Sequence, residues 1–159
     1  MKGMLKLEIP GFGRVEIRQV VMDLNGTLGT EGVPDTGTVD RLRRLSESLD
    51  LIVLTADTHG RAKDLPTDFG MRVERLEPGR EDEQKSAFVE RVGCDKTVTL
   101  GNGNNDVVML RNARVGICVI GEEGASRRAV EAADIVVHHV HQALDLLLKP
   151  KRLLATLRW

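Results

Sequence analysis

The chain has 159 residues, of which 41% are hydrophobic and 30% are charged. This length fits one domain with its own core, and this composition excludes a disordered chain, a fibre and a disulfide-dense mini-protein. With 23 Lys and Arg residues against 24 Asp and Glu residues, a net charge of -1 and only 3% aromatic residues, the sequence lacks the basic surface and the stacking side chains that nucleic-acid binding requires.

The sequence also indicates a cellular compartment. It has no apolar run long enough for a membrane span, and its N-terminus has no apolar segment typical of a signal peptide. Cys94 and Cys118 lie far apart and are typical of small buried side chains in a reducing compartment, with a disulfide as the less favoured alternative. We therefore expect a cytoplasmic protein that binds neither membrane nor nucleic acid.

The predicted elements begin with a half-buried β-hairpin, because apolar and polar residues alternate over 4–9 and 14–18 on either side of a Pro-Gly turn. The apolar runs 20–22 and 51–54 are typical of strands buried on both faces of a parallel sheet. Further strands are predicted at 71–76, 97–100, 115–120 and 135–137, and helices at 38–49, 81–92, 105–111, 125–132 and 141–158, with a short helix after Gly60 and an interruption at Pro150.

This alternation of strands and helices predicts an α/β fold. We expect a Rossmann-like three-layer α/β/α sandwich with a mostly parallel sheet, preceded by the N-terminal β-hairpin. Without repeats, low-complexity tracts or a linker, residues 1–159 are expected to form one domain. The amphipathic hairpin and the leucine-rich C-terminal segment lead us to expect a homo-oligomer.

Polar residues follow three of the predicted strands, at the carboxyl ends where α/β sheets bind ligands. Asp23 follows the first buried strand, Thr55 follows the second, and the Gly-Asn-Gly-Asn-Asn-Asp stretch at 101–106 follows the strand at 97–100. One rim of the sheet is therefore expected to carry hydroxyls, amides and carboxylates from Asp23, Thr55, Asp57, Asn102, Asn105 and Asp106.

Lys85 is expected to join this rim. In the predicted helix 81–92 it precedes Phe88, Val89 and Val92 by three, four and seven residues, which places it on the apolar face. A lysine on an apolar face usually extends its ammonium group to solvent, but the acidic residues of the neighbouring rim favour contact with a buried anion instead. Together, these residues suit phosphoryl transfer: a carboxylate attacks phosphorus, a hydroxyl and an ammonium group bind the phosphoryl oxygens, and Mg²⁺ offsets the charge.

The same residues resemble the motifs of the haloacid dehalogenase (HAD) superfamily. The Asp-Leu-Asn-Gly-Thr-Leu sequence at 23–28 resembles motif I, Thr55 resembles motif II, Lys85 resembles motif III and the 101–106 stretch resembles motif IV. Residues 115–137 are similar to the segment that follows motif IV in P-type ATPases. The small family of soluble P-type ATPase-like proteins is the nearest resemblance, and it covers residues 19 to about 140.

The resemblance implies a Mg²⁺-dependent phosphohydrolase that acts through an aspartyl phosphate on a small phosphorylated substrate, without a cap domain. Asp23 would be the nucleophile and a metal ligand, Asn25 would offer its backbone carbonyl to the metal, and Lys85 would serve catalysis. Asn102 and Asp106 would complete the metal site, directly or through water. The residues expected at the phosphate are Thr27, Thr55, Ala56, Lys85 and Asn105.

Two positions depart from the family pattern. HAD phosphatases usually have an acid/base Asp two residues after the nucleophile, and Asn25 cannot take that role. General acid–base catalysis contributes roughly 10²–10⁴-fold, so hydrolysis is expected to be slow. Asn102 stands where the family has an Asp, which removes a negative charge from the metal site unless Asp57 or Asp106 compensates. ATP use is not expected, since P-type ATPases bind nucleotide mainly with an inserted domain that this chain lacks.

Other interpretations remain open. The 101–106 stretch could be interpreted as a dinucleotide-binding loop, but the missing third glycine disfavours that interpretation. The histidines at 138, 139 and 141 are more typical of an exposed connection than of a metal site. The acidic residues 81–83 are more typical of a favourable charge at a helix start than of a set of metal ligands. Two alternatives to hydrolysis are a phospho-acceptor or regulatory domain with a stable aspartyl phosphate, and a binding module that keeps only the fold. Bacterial receiver domains also combine Asp, Thr and Lys, but their acceptor Asp lacks the Gly-Thr-Leu sequence.

Overall fold

The computed structural model describes residues 2–57 and 60–159 and contains eight strands and six α-helices. The strands are β1 (Leu5–Ile9), β2 (Gly13–Ile17), β3 (Gln19–Asp23), β4 (Asp50–Thr55), β5 (Arg72–Arg75), β6 (Thr97–Gly101), β7 (Val115–Val119) and β8 (Ile135–Val137). The helices are α1 (Thr36–Leu45), α2 (Glu81–Val92), α3 (Val107–Asn112), α4 (Arg127–Ala132), α5 (Val140–Leu148) and α6 (Pro150–Leu157).

The strands form two sheets, and together with the helices they confirm the predicted α/β class. β1 and β2 pair antiparallel as the predicted N-terminal hairpin. The other six strands form a parallel sheet in the order β5-β4-β3-β6-β7-β8. β3 lies between β4 and β6, so the chain reverses its direction of travel across the sheet beside β3. In open α/β sheets such a reversal opens a crevice at the carboxyl ends of the strands.

Both faces of the large sheet are buried. In β3, Val20 and Met22 belong to a core cluster on one face, whereas Val21 belongs to a separate cluster on the other. The first face packs against α1, α5, α6 and the hairpin, and the second against α2 and α3. The apolar runs predicted as doubly buried strands are therefore confirmed, because alternate side chains of one strand enter two different cores.

Helix boundaries differ from the prediction where tertiary contacts outweigh periodicity. α1 begins at Thr36 because Asp35 caps it, accepting the Thr38 N–H at 2.7 Å, and it ends at Leu45. Leu49 is buried as predicted, but from a turn and not from the helix. The short helix predicted after Gly60 is one 3₁₀ turn, and the C-terminal helix is interrupted at Pro150 as predicted.

The hairpin and the C-terminal helix pack within the chain. Val15, Ile17 and Leu153 are fully buried in the same core cluster, and the Trp159 N–H donates to the Pro10 carbonyl at 3.0 Å. This packing accounts for the apolar residues that led us to expect an oligomer, so the homo-oligomer stays a prediction without structural support. Cys94 and Cys118 are free thiols. No helix in the described ranges is both long and apolar enough to cross a membrane.

Candidate functional site

A buried lysine between two carboxylates forms the centre of the candidate site. The Lys85 Nζ atom lies 3.0 Å from Asp23 Oδ1 and 2.7 Å from Asp106 Oδ1. The Lys85 side chain is 2% exposed, the Asp106 side chain is fully buried, and 13% of the Asp23 side chain reaches solvent. A charge this deeply buried is retained because it is paired and hydrogen-bonded on both sides.

Helix α2 places Lys85 as its apolar pattern predicts. Phe88 and Val89 lie on the same face and are buried, which confirms the expected inward direction of Lys85. Gly93 ends the helix with a positive φ of 104°, a conformation that favours glycine. The helix packs over the sheet face that holds Val21, and its inward lysine therefore reaches the end of β3.

The three charges shift one another's protonation. Burial and then the Asp106 carboxylate raise the pKa of Asp23 to about 7, against the opposing effect of the Lys85 ammonium group. Burial lowers the pKa of Lys85, but the Asp106 and Asp23 carboxylates outweigh it and the net pKa is raised. The cluster therefore keeps Lys85 charged and makes Asp23 a carboxyl group that takes up a proton far more readily than usual. Perturbed titration of this kind is common at functional sites.

Asp106 faces the protein and not the cavity. Its Oδ2 atom accepts the backbone N–H groups of Asn102 at 2.9 Å and Gly103 at 3.0 Å, while Oδ1 holds Lys85. A Cβ atom at Gly101 would lie 2.6 Å from the Asp106 Cγ atom, so only glycine leaves room for this carboxylate. Asp106 thus fixes both Lys85 and the loop after β6.

Thr27 lies behind Asp23. Its hydroxyl donates to Asn102 Oδ1 at 3.1 Å and is 3.4 Å from Asp23 Oδ2, and its side chain is 4% exposed. The Asn102 amide group donates in turn to the Gly124 carbonyl at 3.2 Å. These bonds connect the loops that follow β3, β6 and β7.

A cavity of about 250 Å³ opens over the Asp23 carboxylate. It collects residues from the carboxyl ends of β3, β4 and β6 and from the first turns of α2, as expected at the reversal of strand order. Its lining residues are Asp23, Asn25, Thr55, Ala56, Glu81, Lys85, Asn102, Gly103, Asn105 and Glu123.

Most of the predicted site residues line this cavity, and three do not. Thr27 and Asp106 are buried beside it, in the contacts described above. Asp57 turns away: its Oδ1 atom accepts the Ala62 N–H at 2.8 Å, and Arg75 lies 3.9 Å from its Oδ2 atom. The compensation for Asn102 that the sequence left to Asp57 therefore has no support from its position.

Two acidic residues line the cavity that the sequence prediction did not place there: Glu81 was interpreted only as a favourable charge at a helix start, and Glu123 was missed. Glu81 lies one helical turn before Lys85 and so shares its face of α2, a spacing that could have identified it. Glu123 lies in the loop after β7, the next parallel strand beyond β6. A Cβ atom at Gly26 would lie 2.5 Å from Glu123 Oε2 and 2.6 Å from Asn102 Nδ2, so both side chains pack against that glycine.

Comparison with other proteins supports the fold and identifies a relative. No protein-family model matches the chain. The uncharacterized protein MJ0073 of Methanocaldococcus jannaschii is 45% identical over 92 residues, which are 55% of this chain and 99% of that protein. A phospholipid-transporting ATPase of Chaetomium thermophilum, DNF1, is 44% identical over 57 residues, which are 34% of this chain but only 4% of the ATPase.

Among solved structures, HAD phosphatases share the fold. The cobalt-bound deoxy-D-mannose-octulosonate 8-phosphate phosphatase of Haemophilus influenzae superimposes with a TM-score of 0.64 at 16% identity, over 86% of this chain and 90% of that chain. The 3-deoxy-D-manno-octulosonate 8-phosphate phosphatase of Moraxella catarrhalis, solved in complex with magnesium, phosphate and KDO, has a TM-score of 0.58 at 18% identity, over 89% of this chain and 94% of that chain.

The raised pKa of Asp23 predicts that the stability of Asp23→Asn relative to the wild type increases as the pH rises. The pKa of Asp23 is about 7 in the folded state and about 4 in the unfolded state. Ionisation of this carboxyl group therefore destabilises the folded protein progressively as the pH rises from about 4 to about 7. We expect the unfolding free energy of Asp23→Asn, relative to that of the wild type, to be roughly 2–3 kcal/mol more favourable at pH 8 than at pH 5. Urea denaturation in the presence of a chelator measures it. Exposed Asp64→Asn is the control, and an equal difference at both pH values would contradict the prediction.

Proposed function

The chain belongs to the family of the Methanocaldococcus protein MJ0073 and has the HAD-like fold, and on this premise we propose that it is a slow phosphohydrolase acting on a small phosphomonoester. The observation that carries the proposal is the Asp23 carboxylate, which lies at the end of β3, is held by Lys85 at 3.0 Å and lines a polar cavity with Thr55 and Ala56. A carboxylate attacking phosphorus requires this combination of an oriented nucleophile and nearby groups for the phosphoryl oxygens.

In the proposed reaction, an Asp23 oxygen attacks the phosphorus atom, the bond to the leaving oxygen breaks, and the leaving group departs as its anion and takes a proton from solvent, so that an aspartyl phosphate forms. Lys85 and the Thr55 hydroxyl bind the transferred phosphoryl group, and Asn105 contacts it from the loop after β6. Water then attacks the aspartyl phosphate and releases inorganic phosphate. Thr27 and Asp106 act as positioning residues, because their bonds hold Asp23, Lys85 and the Asn102 loop in place.

The charge of the cavity fits a divalent cation. Three carboxylates, from Asp23, Glu81 and Glu123, line it together with the single ammonium group of Lys85. A phosphate dianion entering this excess of negative charge would be repelled, and oxygen donors of this kind are the ligands that Mg²⁺ prefers. When bound, Mg²⁺ offsets the charge of the nucleophile and the phosphate. Asp23, the Asn25 carbonyl and Asn102 would hold it, with Asp106 behind them.

Glu123 is proposed to replace the charge that Asn102 lacks. Its carboxylate and the Asn102 amide both pack against Gly26, at the cavity edge next to the loop of Asn25. Asp106 has both carboxylate oxygens engaged by Lys85 and by backbone N–H groups, and Asp57 is bonded to Ala62. Glu123 is thus better placed than either of the carboxylates that the sequence offered for compensation.

The size of the loops and the residue at position 25 both bear on the substrate: the first concerns access to the site and the second concerns the leaving group. The connections after β3 and β4, 24–35 and 56–71, are too short for a cap domain, so we propose a single capless domain with an open site. Asn25 offers no proton to a leaving group, which favours substrates whose leaving group is a weak enough base to depart as an anion. Aryl or acyl phosphates are therefore expected to react faster than alkyl phosphates.

A second candidate function is a phospho-acceptor domain. Asn25 is the observation that favours it: without a general base near Asp23, water attacks the aspartyl phosphate slowly, and a long-lived phosphorylated state results. The resemblance to P-type ATPases, in which the phosphorylated aspartate persists, agrees with this alternative. The two functions share the first chemical step and differ in the rate of the second.

Hydrolysis is tested by Mg²⁺-dependent phosphate release from a small aryl phosphate. We expect slow turnover by the wild type, none by Asp23→Asn, and an increase of about tenfold or more in Asn25→Asp, because that change restores an acid/base group. Asn104→Asp, a charge-matched change at an exposed neighbour outside the cavity, should alter the rate less than twofold. If neither the wild type nor Asp23→Asn releases phosphate, with or without Mg²⁺, hydrolysis is refuted.

The role of Glu123 is tested by the Mg²⁺ dependence. Glu123→Gln should raise the Mg²⁺ concentration for half-maximal activity by about tenfold, because a metal site loses affinity with each lost carboxylate. Glu122→Gln is the matched control, since Glu122 instead accepts the Thr30 hydroxyl at 3.0 Å and lines a different cavity. Similar shifts in both variants would mean that only the overall charge matters. Protection against thermal unfolding by Mg²⁺ provides a second readout.

A further inference from the structure

Three potential metal ligands outside the candidate active site meet where the N-terminal ends of α1 and α5 lie side by side. Asp35 immediately precedes α1, His139 immediately precedes α5, and His141 lies in the first turn of α5. One ligand atom from each residue lies within 4.8 Å of the others. Because 106 residues separate Asp35 from His141, only the packing of α1 against α5 brings the group together.

We propose that Asp35, His139 and His141 form a binding site for a divalent transition-metal ion of the Zn²⁺ type, separate from the Mg²⁺ site proposed at Asp23. Two imidazole nitrogens and one carboxylate oxygen are typical Zn²⁺ ligands, whereas Mg²⁺ prefers oxygen ligands alone. Three protein ligands leave a fourth coordination position for water or another ligand.

The side chains already lie close to the required arrangement. Asp35 Oδ1 and His141 Nε2 are 2.8 Å apart, and the His139 Nδ1 atom accepts the His141 backbone N–H at 3.0 Å. The centroids of the two imidazole rings are 4.2 Å apart, and the ring planes are inclined by 72°. Zn²⁺ bonds of about 2.0–2.1 Å require ligand atoms roughly 3.3 Å apart, a distance that side-chain rotation can reach while both helices stay in place. The ion would replace these two hydrogen bonds.

A cavity lies next to the cluster. It has a volume of about 270 Å³ and is lined by Asp35, His139, Glu122 and Thr38, among other residues. The cavity leaves room beside Asp35 and His139 for a water molecule at the open coordination position.

The charges around the cluster favour a cation. Asp35 and Glu122 are both acidic, and the neighbouring Arg41 is held by Asp145 at 2.9 Å and by the Gly37 carbonyl at 3.0 Å. The Asp35 side chain is 56% exposed and the His141 side chain 29%, so an ion can enter from solvent. His138, the first histidine of the 138–141 run, is exposed and not part of the cluster, and it therefore serves as a control.

The test is Zn²⁺ binding by the full chain without an affinity tag, measured by titration calorimetry in excess Mg²⁺. We expect one Zn²⁺ per chain, with affinity reduced at least tenfold in Asp35→Asn, His139→Asn and His141→Ala. The two asparagine variants keep a residue that caps a helix, so they separate loss of metal binding from loss of folding, which circular dichroism monitors. His138→Asn and Asp23→Asn should bind Zn²⁺ within twofold of the wild type.

Co²⁺ identifies the ligand atoms. The wild type with one Co²⁺ should show visible absorption without the thiolate charge-transfer bands that Cys94 would produce, and the bands should disappear in His139→Asn. The proposal is overturned if the wild type binds no Zn²⁺ stoichiometrically, if His138→Asn weakens binding as much as the three cluster variants do, or if thiolate bands appear. A structural ion pair alone, with Asp35 and His141 joining two helices, predicts the first of these results.

Discussion

The candidate site depends on the burial of one ammonium group. Lys85 can stay at 2% exposure only because Asp23 and Asp106 both bind it, and removing one partner of a buried ion pair typically costs about 3–5 kcal/mol. The three residues come from α2, from the end of β3 and from the loop after β6. Their meeting therefore requires that β3 and β6 be neighbours and that α2 pack across them, so the pairing of these charges and the order of the sheet support each other.

The fold could be predicted from the sequence where burial leaves a clear pattern. Strands buried on both faces have uninterrupted apolar runs, as at 20–22, and parallel strands end at a common edge, which brought Asp23 and Thr55 together correctly. The end of α1 could not be predicted, because Leu49 continues the apolar pattern from a turn. The direction of the Asp106 carboxylate and the arrival of Glu123 at the cavity depend on loop conformation, which no periodicity encodes.

The two asparagines that depart from the HAD pattern have different surroundings. Asn102 is built into the loop network, accepting from Thr27 and donating to Gly124, so an uncharged amide there can bond in both directions as a carboxylate could not. Asn25 lines the cavity itself. Under the proposed function, Glu123 supplies the charge missing at the first position, while nothing supplies the missing proton donor at the second. The chain would then form an aspartyl phosphate more readily than it hydrolyses it.

The most direct test of this central claim is chemical trapping of the aspartyl phosphate. The protein is incubated with Mg²⁺ and a small acyl phosphate, then quenched and reduced with borohydride, which converts an aspartyl phosphate to homoserine, and the peptides are mapped by mass spectrometry. Homoserine at position 23 in the wild type, and at no position in Asp23→Asn, is the predicted result. An unmodified Asp23 in a protein that still releases phosphate, or homoserine at another aspartate, would contradict the assignment of Asp23 as the nucleophile.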